Sequence, residues 1–108
     1  MTFAVDTAIY KGPIEKLLEL VEEKKLEVTE VSLAQVTGDF LKYMESLRQA
    51  QRIGEEKDIK ALVADFLVVA SRLLLIKSRA LLPNLELDEE EEEDIRDLEL
   101  RLKLYREL

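Results

Sequence analysis

Residue types that could do chemistry are few in this chain, and each has a plainer role. Lys77-Ser78-Arg79 sets two cations around a hydroxyl, a combination able to contact a phosphate. Cations near the end of a helix also stabilise its partial negative charge, and that is the simpler account of them. Glu22-Glu23 and Glu55-Glu56 are paired carboxylates of the kind that could share general acid and base duties. Neighbouring positions on a helix do not face each other, so these read as solvated charges. Glu86 and the run Asp88–Asp94 could attract calcium weakly, but the run lacks the glycine and the ordered ligand spacing of a calcium loop. None of the serines, Ser32, Ser46, Ser71 and Ser78, sits in a Gly-x-Ser-x-Gly turn. The chain has neither His nor Cys, which removes the neutral-pH proton shuttle, the thiolate nucleophile and thiolate metal sites. Gly12, Gly38 and Gly54 are too scattered to form a phosphate-cradling loop. The expectation is therefore no enzyme, no catalytic residue, no cofactor and no metal. Binding is what remains.

Composition agrees. The chain of 108 residues is long enough for one domain with a limited core. It is 47% hydrophobic, with three Gly and two Pro, and rich in Leu, Glu and Lys, which favours helix over sheet. The opening Thr2-Phe3-Ala4-Val5-Asp6 lacks the basic start and long apolar stretch of a signal peptide. Lys60, Asp65, Arg72, Lys77 and Arg79 interrupt the one candidate for a membrane span, where about 18 apolar residues would be needed. A soluble, cytoplasmic protein with no membrane partner is expected. The net charge of −8 is local, because Glu86 and Asp88–Asp94 supply eight acids and the other sixteen match sixteen Lys and Arg. A neutral body gives no basic face for direct contact with nucleic acid. The acid block itself reads as a self-repelling, solvated linker over 84–94.

The elements that must position any binding residue are helical. The spacing predicts an all-α fold, a small bundle of four helices at about 13–25, 33–50, 59–82 and 94–108, with an extended N-terminal segment. Pro13 suits a first helical position, and Ile14, Leu17, Leu18 and Val21 recur on one face. Ser32 with Gln35 three residues later reads as a capping box, which starts the second helix at Leu33. Its apolar face is Leu33, Val36, Phe40, Met44 and Leu47. Gln51 to Asp58 turns polar around Gly54 and reads as a loop. In the last helix Ile95, Leu98, Leu102 and Tyr105 form one face, and Leu100, Leu104 and Leu108 nearly the opposite one.

The third helix is the unusual one. Ile59, Phe66, Leu73 and Ala80 form one heptad column and Leu62, Val69 and Ile76 the next, the seam of a helix packed on helices. A second flank carries Val63, Leu67, Ala70, Leu74 and Leu81. A third carries Ala64, Val68, Leu75 and Leu82 with Ser71 and Ser78. Only Asp65, Arg72 and Arg79 make a strongly polar column. A surface helix needs one apolar stripe, whereas one that is apolar nearly all round needs cover from several directions. The surplus flanks, Val63, Leu67, Val68, Ala70, Ser71, Leu74, Leu75, Ser78 and Leu81, are the expected partner-binding residues. Alone, the chain is expected to hide them by forming a homodimer or swapping helices.

The order of these elements resembles the N-terminal region of the segregation and condensation protein A family, the kleisin subunits of prokaryotic SMC complexes. Tyr10-Lys11-Gly12-Pro13-Ile14-Glu15-Lys16-Leu17-Leu18 is similar to the family's opening, an aromatic followed by x-Gly-Pro-Leu-Asp-Leu-Leu-Leu. Leu26-Glu27-Val28 through Phe40-Leu41-Lys42-Tyr43 resembles its second block. Phe66-Leu67-Val68-Val69-Ala70 through Leu75-Ile76-Lys77-Ser78-Arg79-Ala80-Leu81-Leu82-Pro83 resembles its third, ahead of an acidic linker and a helix with Tyr105-Arg106. Glu15 and Lys16 depart from the usual Asp and Leu, and the Gln51–Asp58 loop is lengthened.

The resemblance implies a non-enzymatic subunit of a condensin-like ring that acts in chromosome condensation and partition at cell division. Residues 1–83 would be a helical domain that binds the head-proximal coiled-coil neck of an SMC ATPase, chiefly through the third helix. Residues 84–94 would be the acidic linker, and 95–108 the start of a central segment bound by a ScpB dimer. The family's C-terminal winged-helix domain would be absent from these residues. DNA would be met only indirectly, through the complex, and the protein would be associated with the nucleoid. A self-contained helical oligomer with a structural or regulatory role is the alternative.

Overall fold

The computed structural model describes residues 11–52 and 57–108. Four helices follow in order: α1 (Pro13–Glu23), α2 (Glu30–Arg52), α3 (Lys57–Leu81) and α4 (Glu89–Glu107). The expected all-α bundle of four helices is the fold. The expected extended segment before Tyr10, and the centre of the expected loop at 53–56, fall outside the described residues.

Gly12 adopts an extended conformation as the N-cap of α1, Pro13 enters the first turn, and the Gly12 carbonyl accepts the Lys16 N–H at 2.9 Å. Nothing is lost by the missing proline N–H at this position. The helix ends two residues earlier than the spacing predicts. Lys25 turns into the left-handed region with φ 57°, and two hydrogen bonds close the end: Lys25 N–H to the Glu22 carbonyl at 2.9 Å and Leu26 N–H to the Val21 carbonyl at 3.1 Å. This is a Schellman ending with Lys where Gly is usual.

α2 starts three residues before the expected Leu33. Thr29, not Ser32, is the cap: its Oγ1 accepts the Ser32 N–H at 3.1 Å, and Ser32 Oγ accepts the Thr29 N–H at 3.0 Å. The two side chains exchange hydrogen bonds as a capping box does, with serine in the third position. Ser32 Oγ also donates to the Glu27 carbonyl, so this buried hydroxyl is fully used.

α2 packs on α3 along the longest interface of the bundle. They run antiparallel, since Val31 lies by Leu81 at one end and Phe40 stacks on Phe66 at 5.1 Å further along. Tyr43 leans on Phe66 at 5.6 Å, and Lys16 of α1 sets its ammonium 4.4 Å from the Tyr43 ring, joining three helices around one aromatic cluster. Leu17 and Val21 of α1, Leu33, Val36 and Leu47 of α2, and Leu73 and Ile76 of α3 fill the rest of the core.

The largest difference from expectation is in the acid block. Its residues from Glu89 to Asp94 are not a linker but the first turns of α4. Asp88 caps the helix by accepting the Glu91 N–H at 2.8 Å, while Glu91 accepts the Asp88 N–H at 3.0 Å. Carboxylates belong at this end, where the exposed N–H groups carry partial positive charge. Opposite charge from α3 completes the arrangement. Ile95, Leu98 and Leu102 then bury themselves in the core as their spacing predicts.

Candidate functional site

Two residues of the polar column of α3, Arg72 and Arg79, turn towards α4, while Asp65 stays exposed. Arg72 donates to Asp97 at 3.0 Å and reaches Asp94 at 3.5 Å. Arg79 donates to Glu92 of α4 at 2.6 Å and, through its other nitrogen, to both oxygens of Glu30 of α2 at 2.9 and 3.0 Å. One guanidinium thus joins three helices. Its hydrogen bond with Glu92 holds the arginine proton more firmly and keeps the Glu92 carboxyl below its ordinary range. Glu99, two turns further along α4, is shifted upward, first by burial and then by the negative charge of Glu30.

Because the arginines turn towards α4, an apolar side of α3 is left outside. Leu67, Ser71, Leu74, Ser78 and Leu81 fall within about 40° of one line on a helix of 3.6 residues per turn, a stripe about 21 Å long. Leu67 is 53% exposed, Val68 54%, Leu74 48% and Leu81 68%. Ser71 is exposed as well, its hydroxyl turned back to the Val68 carbonyl at 2.8 Å. Ser78 is half-buried, and Leu75 is half-buried against the core at the edge of the stripe. These seven residues are brought together as a single surface. Val63 and Ala70 leave the expected set: both are buried in the protomer's own core, being rotated from Leu67 towards the side where α2 packs. The bundle is about two helices thick, 51 × 28 × 20 Å, so a helix in either layer keeps an outer face.

Residues not expected at the site adjoin it. Val31, 67% exposed, faces Leu81 across a shallow groove of about 450 Å³ that Ala34, Gln35, Lys77 and Ala80 also line. The signal was present in the sequence. Val31 lies two residues ahead of Leu33, where the apolar face of α2 begins, and only the antiparallel pairing shows that it meets the end of α3. A second exposed apolar surface lies on α4, where Leu100, Leu104 and Leu108 point away from the core as their spacing predicts. Leu104, Tyr105 and Leu108 also border a hollow beside Ile14 of α1. Among the described residues no helix is long and apolar enough to cross a membrane.

Comparison with known proteins places the chain. Residues 20–108 match the family model described as segregation and condensation protein ScpA. The protein named segregation and condensation protein A of Halothermothrix orenii is 36% identical over 96 residues, covering 89% of this chain and 36% of that protein. The protein of the same name from Clostridium tetani is 39% identical over 84 residues, 78% of this chain and 30% of that one. In Streptococcus equi subsp. equi its namesake is 38% identical over 86 residues, 80% of this chain and 33% of its own length. No solved structure matches. The chain spans about a third of the length of these curated relatives. With a family model matched over most of its residues and relatives of one name aligned along the same stretch, the chain belongs to the segregation and condensation protein A family.

Proposed function

We propose that this chain is a non-enzymatic kleisin region that serves chromosome condensation and segregation by docking on the coiled-coil neck of an SMC ATPase. The observation that carries the reading is the exposed stripe of α3: Leu67, Val68, Leu74 and Leu81, with the small Ser71 and Ser78 between them. An apolar helix face with small residues along its centre fits other helices laid alongside it, as coiled-coil helices would lie. Burying three or four such side chains contributes roughly 1.5–3 kcal/mol each before the costs of association are subtracted. Held to an SMC neck at this end, the full-length protein would help close the ring, and DNA would be met through the assembly alone.

The outward face of α4, Leu100, Leu104 and Leu108, is a separate surface, and contact with a ScpB dimer is proposed there. Residues 82–88 connect the two helices that carry these surfaces.

Pull-down against an SMC head carrying its neck tests the reading. Leu67→Asp or Leu74→Asp should abolish capture while helical circular dichroism stays close to wild type. Should capture survive both substitutions, the stripe is not the docking surface. A stable dimer that the neck cannot displace would favour the self-contained oligomer.

A further inference from the structure

The groove between Val31 and Leu81 has chemistry that the stripe lacks. Its walls, Val31, Ala34, Ala80 and Leu81, are apolar, and Val31 and Leu81 are each about two-thirds exposed. Lys77 shares the lining, with Gln35 opposite. Arg72 and Arg79, on the same helix, both hold carboxylates, but Lys77 pairs with none among the described residues. The acids of α4 that face α3 are engaged by those arginines. Along α3 the sequence has two acids, Asp58 at the far, N-terminal end and Asp65, placed on the side of Arg72 and not on this one. A second copy pairing stripe to stripe in parallel would therefore bring lysines and no carboxylate to this end, and an antiparallel copy is distinguished by dimerisation of the free chain.

We infer that the groove receives a partner helix that inserts one apolar side chain between Val31 and Leu81 and sets a carboxylate, within a turn of it, on Lys77. This rests on the docking role proposed for α3 and extends it, since Leu81 belongs to both groove and stripe. A knob from a helix enters a hole formed by residues of its neighbours, and here α2 and α3 each provide two apolar walls. The carboxylate supplies what an apolar stripe cannot, a fixed register along the helix and a contact that weakens with salt. The class of partner is thereby narrowed to an amphipathic helix whose apolar seam is bordered by Asp or Glu at the position that meets the C-terminal end of α3.

Affinity of the full chain for an SMC head with its neck, measured by titration calorimetry at about 50 mM and about 500 mM salt, tests this. Lys77→Glu should weaken binding at least ~10-fold at low salt and less than ~3-fold at high salt, as expected of a charge at an interface rim. Lys77→Gln should fall between, and Val31→Ser should weaken binding similarly at both salts. Wild-type affinity for Lys77→Glu at low salt, with binding still abolished by Leu74→Asp, would overturn the groove and leave the docking role standing. Equal loss for Lys77→Glu at both salts would also overturn it, because no carboxylate contact would be involved. Binding that neither Lys77→Glu nor Leu74→Asp disturbs would remove the docking role itself. Dimerisation of the free chain abolished by Val31→Ser would give the groove to a second copy and contradict the inference.

Discussion

Single residues in this protein carry conformational and electrostatic tension that its helix patterning hides. Lys25 holds a left-handed backbone at φ 57° so that α1 can end and the chain can turn towards α2. A side chain there costs about 1 kcal/mol against glycine, partly offset by glycine's greater freedom when unfolded. Lys25→Gly should therefore raise stability by about 0.5–1 kcal/mol in urea unfolding. Glu99 bears a different tension. Its carboxyl is pushed up by burial and by Glu30 of α2, against the opposing pull of Lys103 on its own helix and Arg79 of α3. An acid shifted upward by folding favours the folded state while protonated, so this contribution declines as pH rises from the ordinary carboxylate value through the raised one. Glu99→Gln should then be more stable than wild type at neutral pH, by about 0.5 kcal/mol or less because solvent screens the site. The difference should vanish in acid. Glu19 works in the opposite sense: Lys11 and then Lys16 hold its carboxyl low, a contribution present at neutral pH and lost as pH falls through the lowered value.

At the scale of elements, apolar periodicity was a reliable guide and charge was not. Ile95, Leu98 and Leu102 are buried as their spacing requires, as are Leu33, Val36, Phe40 and Leu47 on α2. Helix starts were harder to read. The capping box around Ser32 exists, but Thr29 is its first member and Ser32 its last, and a Ser-x-x-Gln pattern three residues on concealed it. The acid block was misleading for a physical reason. Seven consecutive acids repel one another as an isolated segment, yet at a helix N-terminus opposite Arg72 and Arg79 they are matched from two directions. That match joins residues more than a dozen positions apart, and local pattern does not contain it. The same pairing explains the candidate site. The surplus of apolar flanks was visible in sequence, whereas which flank stays outside depended on where the arginines pointed. Val63 and Ala70 fell inside, and Leu67, Val68, Leu74 and Leu81 did not.

For the whole molecule, four helices in about two layers cover the inner sides of α3 and leave its outer side bare. A surface of this kind on a member of the segregation and condensation protein A family is most simply a place for other helices, and the docking role depends on its being open in the free chain and closed in the complex. Thiol labelling reads that directly, because the chain has no cysteine of its own. Single substitutions Leu67→Cys and Leu74→Cys, with Ala70→Cys as the buried reference, would each report one position of α3. Fast maleimide labelling is expected at Leu67→Cys and Leu74→Cys in the free monomer, slow labelling at Ala70→Cys, and at least ~10-fold protection of the first two when an SMC head with its neck is added. Slow labelling of Leu67→Cys and Leu74→Cys in a free monomer, or unchanged fast labelling in the complex, would contradict it.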